Sequence, residues 1–330
     1  MTVNTFAVAD TIEGPSAWTR DTIAPADWTL AFPTECVAEL EEAVRATAGH
    51  AGALHTLRRE GLRLDACRAF AARLRSDYLD NGPLFAVLDG LPVARFTDAE
   101  LTRAYWLFSG LVSRPVEQTY QGTMMFDVLD TGVGNKMVPG SGIRATITNL
   151  DLNFHNDNCF NPAMPDYVGL LCLHPSRSGG VSKVISFHTL HNILRAQDPE
   201  LLERLYQPIW WDRHREFGPG EAPYVANPVF DVVDGRPRAR FSNYNIRGGY
   251  RIRDEALDPV LEQAMQRLLA LFARPELQCQ FNMQAGQIQY VNNRAIAHAR
   301  SEFQNGDTVD EQRHLVRLWL RDQGLVGYEG

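Results

Sequence analysis

Three residues, two of them close together and one far away in the sequence, have side chains that commonly bind metal ions. His155 and Asp157 are two positions apart, directly after an apolar run over residues 147–154. In an extended chain, residues two apart project to the same side, so one imidazole and one carboxylate can meet at one ion. His298 follows another strand candidate and could supply a third ligand. Two histidines and one carboxylate leave open coordination positions, which is typical of non-haem iron(II) sites that react with oxygen.

Each part of this set is ambiguous when taken alone. A His-x-Asp triplet is often solvated, or satisfied by neighbours in a core. An isolated histidine such as His298 more often hydrogen-bonds its neighbours than binds a metal. Other histidines, including His174, His188 and His314, have no partners at a suggestive spacing. The metal hypothesis therefore depends on what else the sequence contains.

The apolar segment 313–320 places two arginines on one face of a predicted strand. Alternation puts Arg313 and Arg317 on the same side as Leu315 and Trp319. A buried guanidinium is costly unless an anion neutralises it, and guanidinium groups bind carboxylates through two parallel hydrogen bonds. Two salt bridges with acidic residues elsewhere explain the pattern as well as a bound dicarboxylate does.

The elements that would position these residues fall into three stretches. Residues up to about 115 have mainly helical patterns, with Thr34 as a candidate helix cap and Thr97 and Glu100 at capping-box spacing. From about 116 to 250, short β-type runs are interrupted by helical insertions. An amphipathic helix over 257–271 then precedes three strand candidates, at 279–283, 287–292 and 313–320. Many short strands without alternating β-α-β units predict a β-sandwich or jelly roll buttressed by helices.

The composition fits one sizeable globular enzyme. Hydrophobic residues make up 45% of the 330 residues and charged ones 22%, and the net charge of -8 is spread without long runs. This predicts a small-molecule substrate and neither nucleic-acid nor membrane binding. Five cysteines without a CxxC pair and an amino terminus unlike a secretory signal predict a cytoplasmic protein. No repeat or linker divides the chain, so we expect a single domain over 1–330, with 1–115 packing on a core formed by 116–330.

Taken in order, the motifs resemble those of a known enzyme family. They are similar to the successive motifs of the taurine dioxygenase and clavaminate-synthase-like 2-oxoglutarate oxygenases: His155-x-Asp157, Gly179-Gly180-Val181-Ser182, Asn292-Asn293 through His298-Ala299-Arg300, and Arg313-His-Leu-Val-Arg317. The resemblance covers about residues 115–325, and residues 14–18 also look like the family's amino-terminal region. One departure is Ala285-Gly286-Gln287, where relatives usually have Pro-Gly-Asp, in a turn that carries no metal ligand.

The resemblance implies an α+β fold with a double-stranded β-helix (jelly-roll) core, flanking helices and helical insertions. It also implies that His155, Asp157 and His298 ligate Fe(II). Arg313, helped by the Ser182 hydroxyl, would hold the distal carboxylate of 2-oxoglutarate, whose 2-oxo acid end would chelate the iron. Arg317 matches a second arginine that lies near the cosubstrate or near an anionic group of the substrate in relatives.

The resemblance also implies a reaction type. Family members that halogenate have a small residue at the position of Asp157, so the carboxylate here indicates an oxygenase that consumes 2-oxoglutarate and O2. Succinate, CO2 and a hydroxylated product are expected, whereas desaturation, cyclisation or epoxidation would need only a different placement of the substrate. The alternatives are a non-catalytic jelly-roll binding module and a zinc hydrolase, but a hydrolase leaves Arg313 and Ser182 unexplained.

The substrate contacts are the least defined part of the site. Candidates are three residues before the first metal motif, one directly after it, and a glycine-containing basic segment whose cations could reach a carboxylate-bearing substrate: Gln118, Gln121 and Thr123; Asn158; and residues 243–251, which include Arg247 and Arg251. The alternative is that 243–251 is an exposed basic loop. The sequence predicts neither the substrate nor the oligomeric state.

Overall fold

The structure is a computed structural model that describes residues 8–133, 145–233, 235–308 and 311–329. Within these ranges, no helix is long and apolar enough to cross a membrane. A π-helical segment, Leu74–Asp80, continues the second α-helix. In chain order the α-helices are α1 (Thr34–Ala46), α2 (Asp65–Arg73), α3 (Asp98–Val112), α4 (Phe187–Gln197), α5 (Pro199–Leu205), α6 (Asn243–Ile252) and α7 (Pro259–Phe272).

The strands are short, as the alternating runs predicted. They are β1 (Thr29–Ala31), β2 (Phe85–Asp89), β3 (Pro115–Val116), β4 (Phe126–Leu129), β5 (Leu152–His155), β6 (Tyr167–His174), β7 (Ser178–Gly179), β8 (Ser182–Ser186), β9 (Ile209–Asp212), β10 (Tyr224–Asn227), β11 (Phe230–Val233), β12 (Arg236–Ala239), β13 (Gln278–Phe281), β14 (Ile288–Asn292), β15 (Ile296–Arg300), β16 (Phe303–Gln304) and β17 (His314–Leu320).

Two sheets form the core. The larger has the strand order β1-β2-β14-β6-β17-β3, with β4 also paired to β17, and the smaller has the order β13-β8-β15-β5. Pairing is antiparallel throughout both sheets except between β1 and β2. Side chains from both sheets, such as Val168 and Val291 of the larger and Val184 and Ile296 of the smaller, meet in one hydrophobic cluster. Two packed antiparallel sheets with helices outside them match the expected α+β jelly-roll core.

The two faces of the large sheet have different partners. On β17, Val316, Leu318 and Leu320 pack with helices α1, α2 and α3 in a second hydrophobic cluster. Because side chains alternate along a strand, Leu315 and Trp319 point the other way, towards the small sheet. By the same alternation, Arg317 lies on the face of β17 that points towards the small sheet.

The amino-terminal part is mainly helical, and its expected strand at 85–88 is confirmed as β2. Its strands β1 and β2 extend the large sheet, since β2 pairs with β14. The capping box of α3 is confirmed, because Thr97 N donates to Glu100 Oε2 (2.8 Å) and Glu100 N donates to Thr97 Oγ1 (3.3 Å). The expected cap at Thr34 is wrong: Thr34 is already helical, and Pro33 is the cap residue.

Three further expectations differ from the structure near the site. The run 147–154 is a strand only over β5, because a 3-10 turn, Ala145–Ile147, precedes it. His298 lies within a strand of its own, β15, and does not simply follow β14. The segment 243–251 is helix α6 and not an exposed loop, because Ser242 caps its first turn by accepting a hydrogen bond from Asn245 N.

Candidate metal centre and active site

Neighbouring strands of the small sheet bring the three predicted metal ligands together. His155 at the end of β5 is directly opposite His298 on β15, and their ring centroids are 4.4 Å apart. Asp157 follows β5 and turns its Oδ1 to both rings, 3.3 Å from Nε2 of His155 and 3.6 Å from Nε2 of His298. The three potential ligand atoms lie within 4.8 Å of one another, and no other such group occurs in the described residues. This donor set, two imidazoles and one carboxylate, fits a non-haem iron ion.

The surroundings of both imidazoles suit metal binding. His155 Nδ1 lies 2.8 Å from the carbonyl oxygen of Asn153, which can only accept, so Nδ1 carries the proton and Nε2 keeps its lone pair. Burial lowers the pKa of His298 to about 3. His298 is therefore neutral near pH 7, and metal binding there need not displace a proton from it.

The two oxygens of Asp157 have separate partners. Oδ1 faces the histidines, whereas Oδ2 accepts a hydrogen bond from Trp319 Nε1 (2.7 Å) and lies 3.1 Å from Nη1 of Arg317. Burial would raise the pKa of Asp157, but Arg317, His155 and His298 outweigh burial and hold the pKa below its usual value. Asp157 is consequently a carboxylate at neutral pH.

Two buried asparagines fix the backbone of the first metal motif. Asn293, in the turn between β14 and β15, exchanges hydrogen bonds with Asp157: its Oδ1 accepts from Asp157 N (2.9 Å) and its Nδ2 donates to Asp157 O (2.9 Å). Asn156 Nδ2 donates to the carbonyl oxygens of Asn293 and Ile296 (2.9 and 3.0 Å). The Asn292-Asn293 motif thus joins the strand that carries His298 to the loop that carries Asp157.

Arg313 is a buried cation without an acidic partner in the described part of the chain. Only 5% of it is exposed, its Nη1 has no hydrogen-bond partner there, and its guanidinium lies 5.1 Å from the ring centroid of Phe303. Burial lowers the pKa of Arg313 to about 10. Arg317, in contrast, pairs with Asp157, so the predicted alternative of two salt bridges applies to one arginine and not to the other.

Ser182 is placed where it can serve the same region as Arg313. It lies on β8 directly opposite Arg300 of β15, and on the face of β8 that also carries Val184, the residue opposite His298. The side chain is 7% exposed, and within the described ranges its hydroxyl makes no hydrogen bond. Gly180, two residues earlier, lies against the side chain of Arg313.

A cavity of about 500 Å³ opens beside the metal ligands. Its lining includes His155, Asp157, Arg317 and Trp319 as well as residues of α6. His298, Ser182 and Arg313 are not among the lining residues. The cavity therefore has the position of a substrate pocket next to the metal cluster.

The two arginines predicted on α6 differ in their surroundings. Both line the cavity. Arg247 forms a two-pronged ion pair with Glu262 of α7 (2.8 and 3.1 Å), and its Nε donates to Asn243. Arg251 is exposed and has no charged or hydrogen-bonding partner in the described ranges. The cation available to a ligand in this wall is thus Arg251.

The other substrate candidates are spread over different places. Asn158 lines the cavity and is 8% exposed, and its Oδ1 accepts a hydrogen bond from Tyr328 (2.8 Å). Gln118 is fully buried behind the cavity, where its Oε1 accepts from Arg317 Nε (2.8 Å). Gln121 is exposed, and neither it nor Thr123 lines the cavity.

Sequence reasoning missed Tyr328 as a site residue. Its ring lines the cavity, 6.3 Å from that of Trp319, although it lies in the carboxyl-terminal segment after β17. The segment is held by Arg321, which donates to the carbonyl oxygens of Leu325 and Gly327. A periodic sequence pattern could not identify Tyr328, because its position depends on the hydrogen bonds of one buried arginine, Arg321, to the backbone of this segment.

The chain is similar to known oxygenases in sequence. The sequence profile of the family described as taurine catabolism dioxygenase TauD, TfdA matches residues 55–319. Among curated proteins, FR-33289 synthase from Streptomyces rubellomurinus (strain ATCC 31215) is 27% identical over 313 residues, which cover 94% of this chain and 90% of that protein.

Solved structures share the fold. Asparagine oxygenase in complex with Fe(II), 2S,3S-3-hydroxyasparagine and succinate has a TM-score of 0.65 at 20% identity, covering 91% of this chain and 94% of its own. The non-haem iron oxygenase OrfP in complex with Fe and alpha-ketoglutaric acid has a TM-score of 0.65 at 15% identity, covering 89% and 94%. The expected double-stranded β-helix fold is confirmed, and the profile match over most of the chain settles the family. The chain belongs to the taurine catabolism dioxygenase TauD, TfdA family and is an iron(II)- and 2-oxoglutarate-dependent oxygenase.

Proposed function

We propose that this enzyme hydroxylates an unactivated C–H bond of a small molecule with an anionic group, using 2-oxoglutarate and O2 and releasing succinate and CO2. The observation that carries the proposal is the convergence of His155, Asp157 and His298 in one cluster, next to a cavity that is lined by two of them and by the exposed cation Arg251. The similarity to FR-33289 synthase supports a role in secondary metabolism.

In this proposal His155, Asp157 and His298 hold the iron ion. When bound, the iron supplies the oxidising chemistry, and the protein supplies orientation and the exclusion of competing reactions. His155 contributes Nε2, because its Nδ1–H is held by the Asn153 carbonyl. Asp157 contributes Oδ1, because its other oxygen is occupied by Trp319 and Arg317.

Arg313 and Ser182 hold the distal carboxylate of 2-oxoglutarate. A guanidinium that is buried, unneutralised and short of one hydrogen-bond partner is stabilised when a carboxylate arrives. The Ser182 hydroxyl adds a donor from β8 of the small sheet. Arg317 pairs with Asp157 and donates a hydrogen bond to Gln118. We therefore assign it mainly to holding the metal ligand Asp157, and expect it to lie beside the cosubstrate or substrate.

Substrate is recognised at two places in the cavity. Arg251, an exposed residue of the cavity lining, attracts its anionic group. Tyr328 donates to Asn158 Oδ1, and the amide N–H groups of Asn158, which lines the cavity, would donate to a substrate oxygen. Asparagine oxygenase and OrfP have been solved with hydroxylated amino acids, which supports testing amino acids first.

We also propose that residues 1–330 act as a single oxygenase domain in the cytoplasm. Strands β1 and β2 from the first 115 residues belong to the same sheet as β17, which carries Arg317 and Trp319. The cysteines are free thiols, which suits a reducing compartment.

The test is a turnover screen with product analysis. Purified enzyme with Fe(II), 2-oxoglutarate and O2 is incubated with free amino acids and small carboxylic acids, and succinate and product masses are measured. A substrate should gain one oxygen atom with one succinate per product, and Asp157→Ala should abolish both signals. Loss of two hydrogens would indicate desaturation instead. A product formed without succinate would contradict the proposal.

A further inference from the structure

The carboxylate of Asp157 is held by two donors that leave only one of its oxygens available. Trp319 Nε1 donates to Oδ2 over 2.7 Å, a short distance for a hydrogen bond from an uncharged N–H. Arg317 Nη1 lies 3.1 Å from the same oxygen. The other oxygen, Oδ1, faces Nε2 of both histidines. Oδ1 of Asp157 is therefore available to bind a metal ion, whereas Oδ2 is held by its two donors.

We propose that Trp319 is a positioning residue that restricts Asp157 to binding iron through one oxygen. The proposal rests on the proposed function, in which Asp157 is an iron ligand. An octahedral ion with two histidines and a one-oxygen carboxylate keeps about three open positions, enough for a chelating 2-oxo acid and O2. A carboxylate bound through both oxygens takes one of these positions. The indole N–H therefore preserves the vacancy that oxygen needs.

Trp319 suits this role because its ring cannot easily move. It is 3% exposed, belongs to the core cluster between the sheets, and lies on β17, which pairs with three other strands. An indole has a single N–H donor and no charge. It can thus orient Oδ2 without further lowering the affinity of Asp157 for a cation, whereas Arg317 adds a positive charge next to the metal.

Arg317 alone is a weaker restraint on the angle of the carboxylate. Its Nε donates to Gln118 and its guanidinium packs 5.0 Å from the Trp319 ring, so its position depends partly on Trp319. Donors that orient metal ligands commonly change metal affinity by about 10- to 100-fold when they are removed. We expect an effect of this size from the single indole N–H.

The experiment compares Trp319→Phe with Trp211→Phe. Trp211 is a matched control because its fully buried indole N–H donates to the carbonyl oxygen of Asn227 over 2.8 Å, away from the metal ligands. Each protein is titrated anaerobically with Fe(II), and the dissociation constant is measured. The visible absorption after addition of 2-oxoglutarate is recorded, and urea unfolding monitors stability. A third protein with 3-benzothienylalanine at position 319 keeps the ring shape and removes only the N–H.

Trp319→Phe and the benzothienyl protein should raise the Fe(II) dissociation constant by about tenfold and weaken the 2-oxoglutarate absorption band. Trp211→Phe should leave both unchanged while losing stability. Equal metal affinity in the benzothienyl protein and the wild type would overturn the role of Trp319, as would an equal loss of affinity in Trp211→Phe. Failure of the wild type to bind Fe(II) would instead count against the iron site itself.

Discussion

A Cβ atom on Gly180 would lie 3.1 Å from Nε of Arg313. Gly180 has φ +64°, a left-handed conformation that favours glycine, and this close approach lets the backbone lie against a buried guanidinium. The contact joins the Gly179-Gly180-Val181-Ser182 motif to the arginine strand. It brings these two motifs, far apart in sequence, next to each other, as the proposed anion site requires.

Arg313→Met should separate cosubstrate binding from stability. Loss of a charged hydrogen-bond donor, worth about 3 kcal/mol, should raise the 2-oxoglutarate dissociation constant about 100-fold with Fe(II) affinity unchanged. The apoprotein should be as stable as the wild type or more so, because a buried cation without an acidic partner is removed. Calorimetric titration and thermal unfolding check the two effects. Parallel losses of 2-oxoglutarate and Fe(II) affinity would argue against the assigned role.

Gly180→Ala should weaken 2-oxoglutarate binding through Arg313. The added Cβ would lie 2.5 Å from Ser176 Oγ as well as 3.1 Å from Arg313 Nε, so the guanidinium must shift. Gly220→Ala is the control, because Gly220 also has a positive φ, +85°, but has no atom within 4 Å of the added Cβ. Both variants should lose about 1 kcal/mol of stability from backbone strain. Only Gly180→Ala should lose cosubstrate affinity, and equal affinity in both variants would contradict the contact.

Arg251→Ala and Arg247→Ala should have different effects on the substrate found in the turnover screen. Arg251→Ala should raise its KM about fivefold, corresponding to roughly 1 kcal/mol for an exposed ion pair, with less effect at high salt. Arg247→Ala should leave KM nearly unchanged and lower stability, because Arg247 is already paired with Glu262. Steady-state kinetics at two salt concentrations provides the measurement. A larger KM change for Arg247→Ala would reverse the assignment.

The free energy of unfolding should fall as the pH is lowered, and His191 should account for part of this fall. Burial lowers the pKa of His191 to about 4 from its ordinary 6.5. The unfolded chain binds a proton below about pH 6.5 and the folded chain only near pH 4, so the free energy of unfolding falls as pH decreases between these values. His191→Gln should reduce this slope. Urea unfolding at pH 7.5, 5.5 and 4.5 measures the slopes, and an unchanged slope in His191→Gln would refute the prediction.

The parts of the site that the sequence predicted are those marked by side-chain chemistry. His155, Asp157 and Arg313 were found because a His-x-Asp triplet and a cation in an apolar strand are unusual. The strand around His298 was not recognised, because β15 has histidine and arginine at positions where the apolar alternation of a strand is expected.

The parts that could not be predicted depend on long-range packing. The sequence left open whether 243–251 is an exposed loop; in helix α6, a Cβ on Gly249 would lie 2.6 Å from the backbone of Trp210. This glycine lets the helix approach β9 closely, a contact invisible in local sequence. In the same way, the partners of Trp319 and Tyr328 lie more than 150 positions away, and no spacing rule connects them.

The most direct test of the metal centre is anaerobic absorption spectroscopy of the iron-loaded protein titrated with 2-oxoglutarate. If His155, Asp157 and His298 hold iron and Arg313 holds the cosubstrate, the wild type should develop a weak visible charge-transfer band that saturates at one 2-oxoglutarate per chain. His298→Ala should lose the band, and Arg313→Met should reach it only at much higher 2-oxoglutarate. A folded, iron-loaded wild-type protein that shows no band would contradict the account.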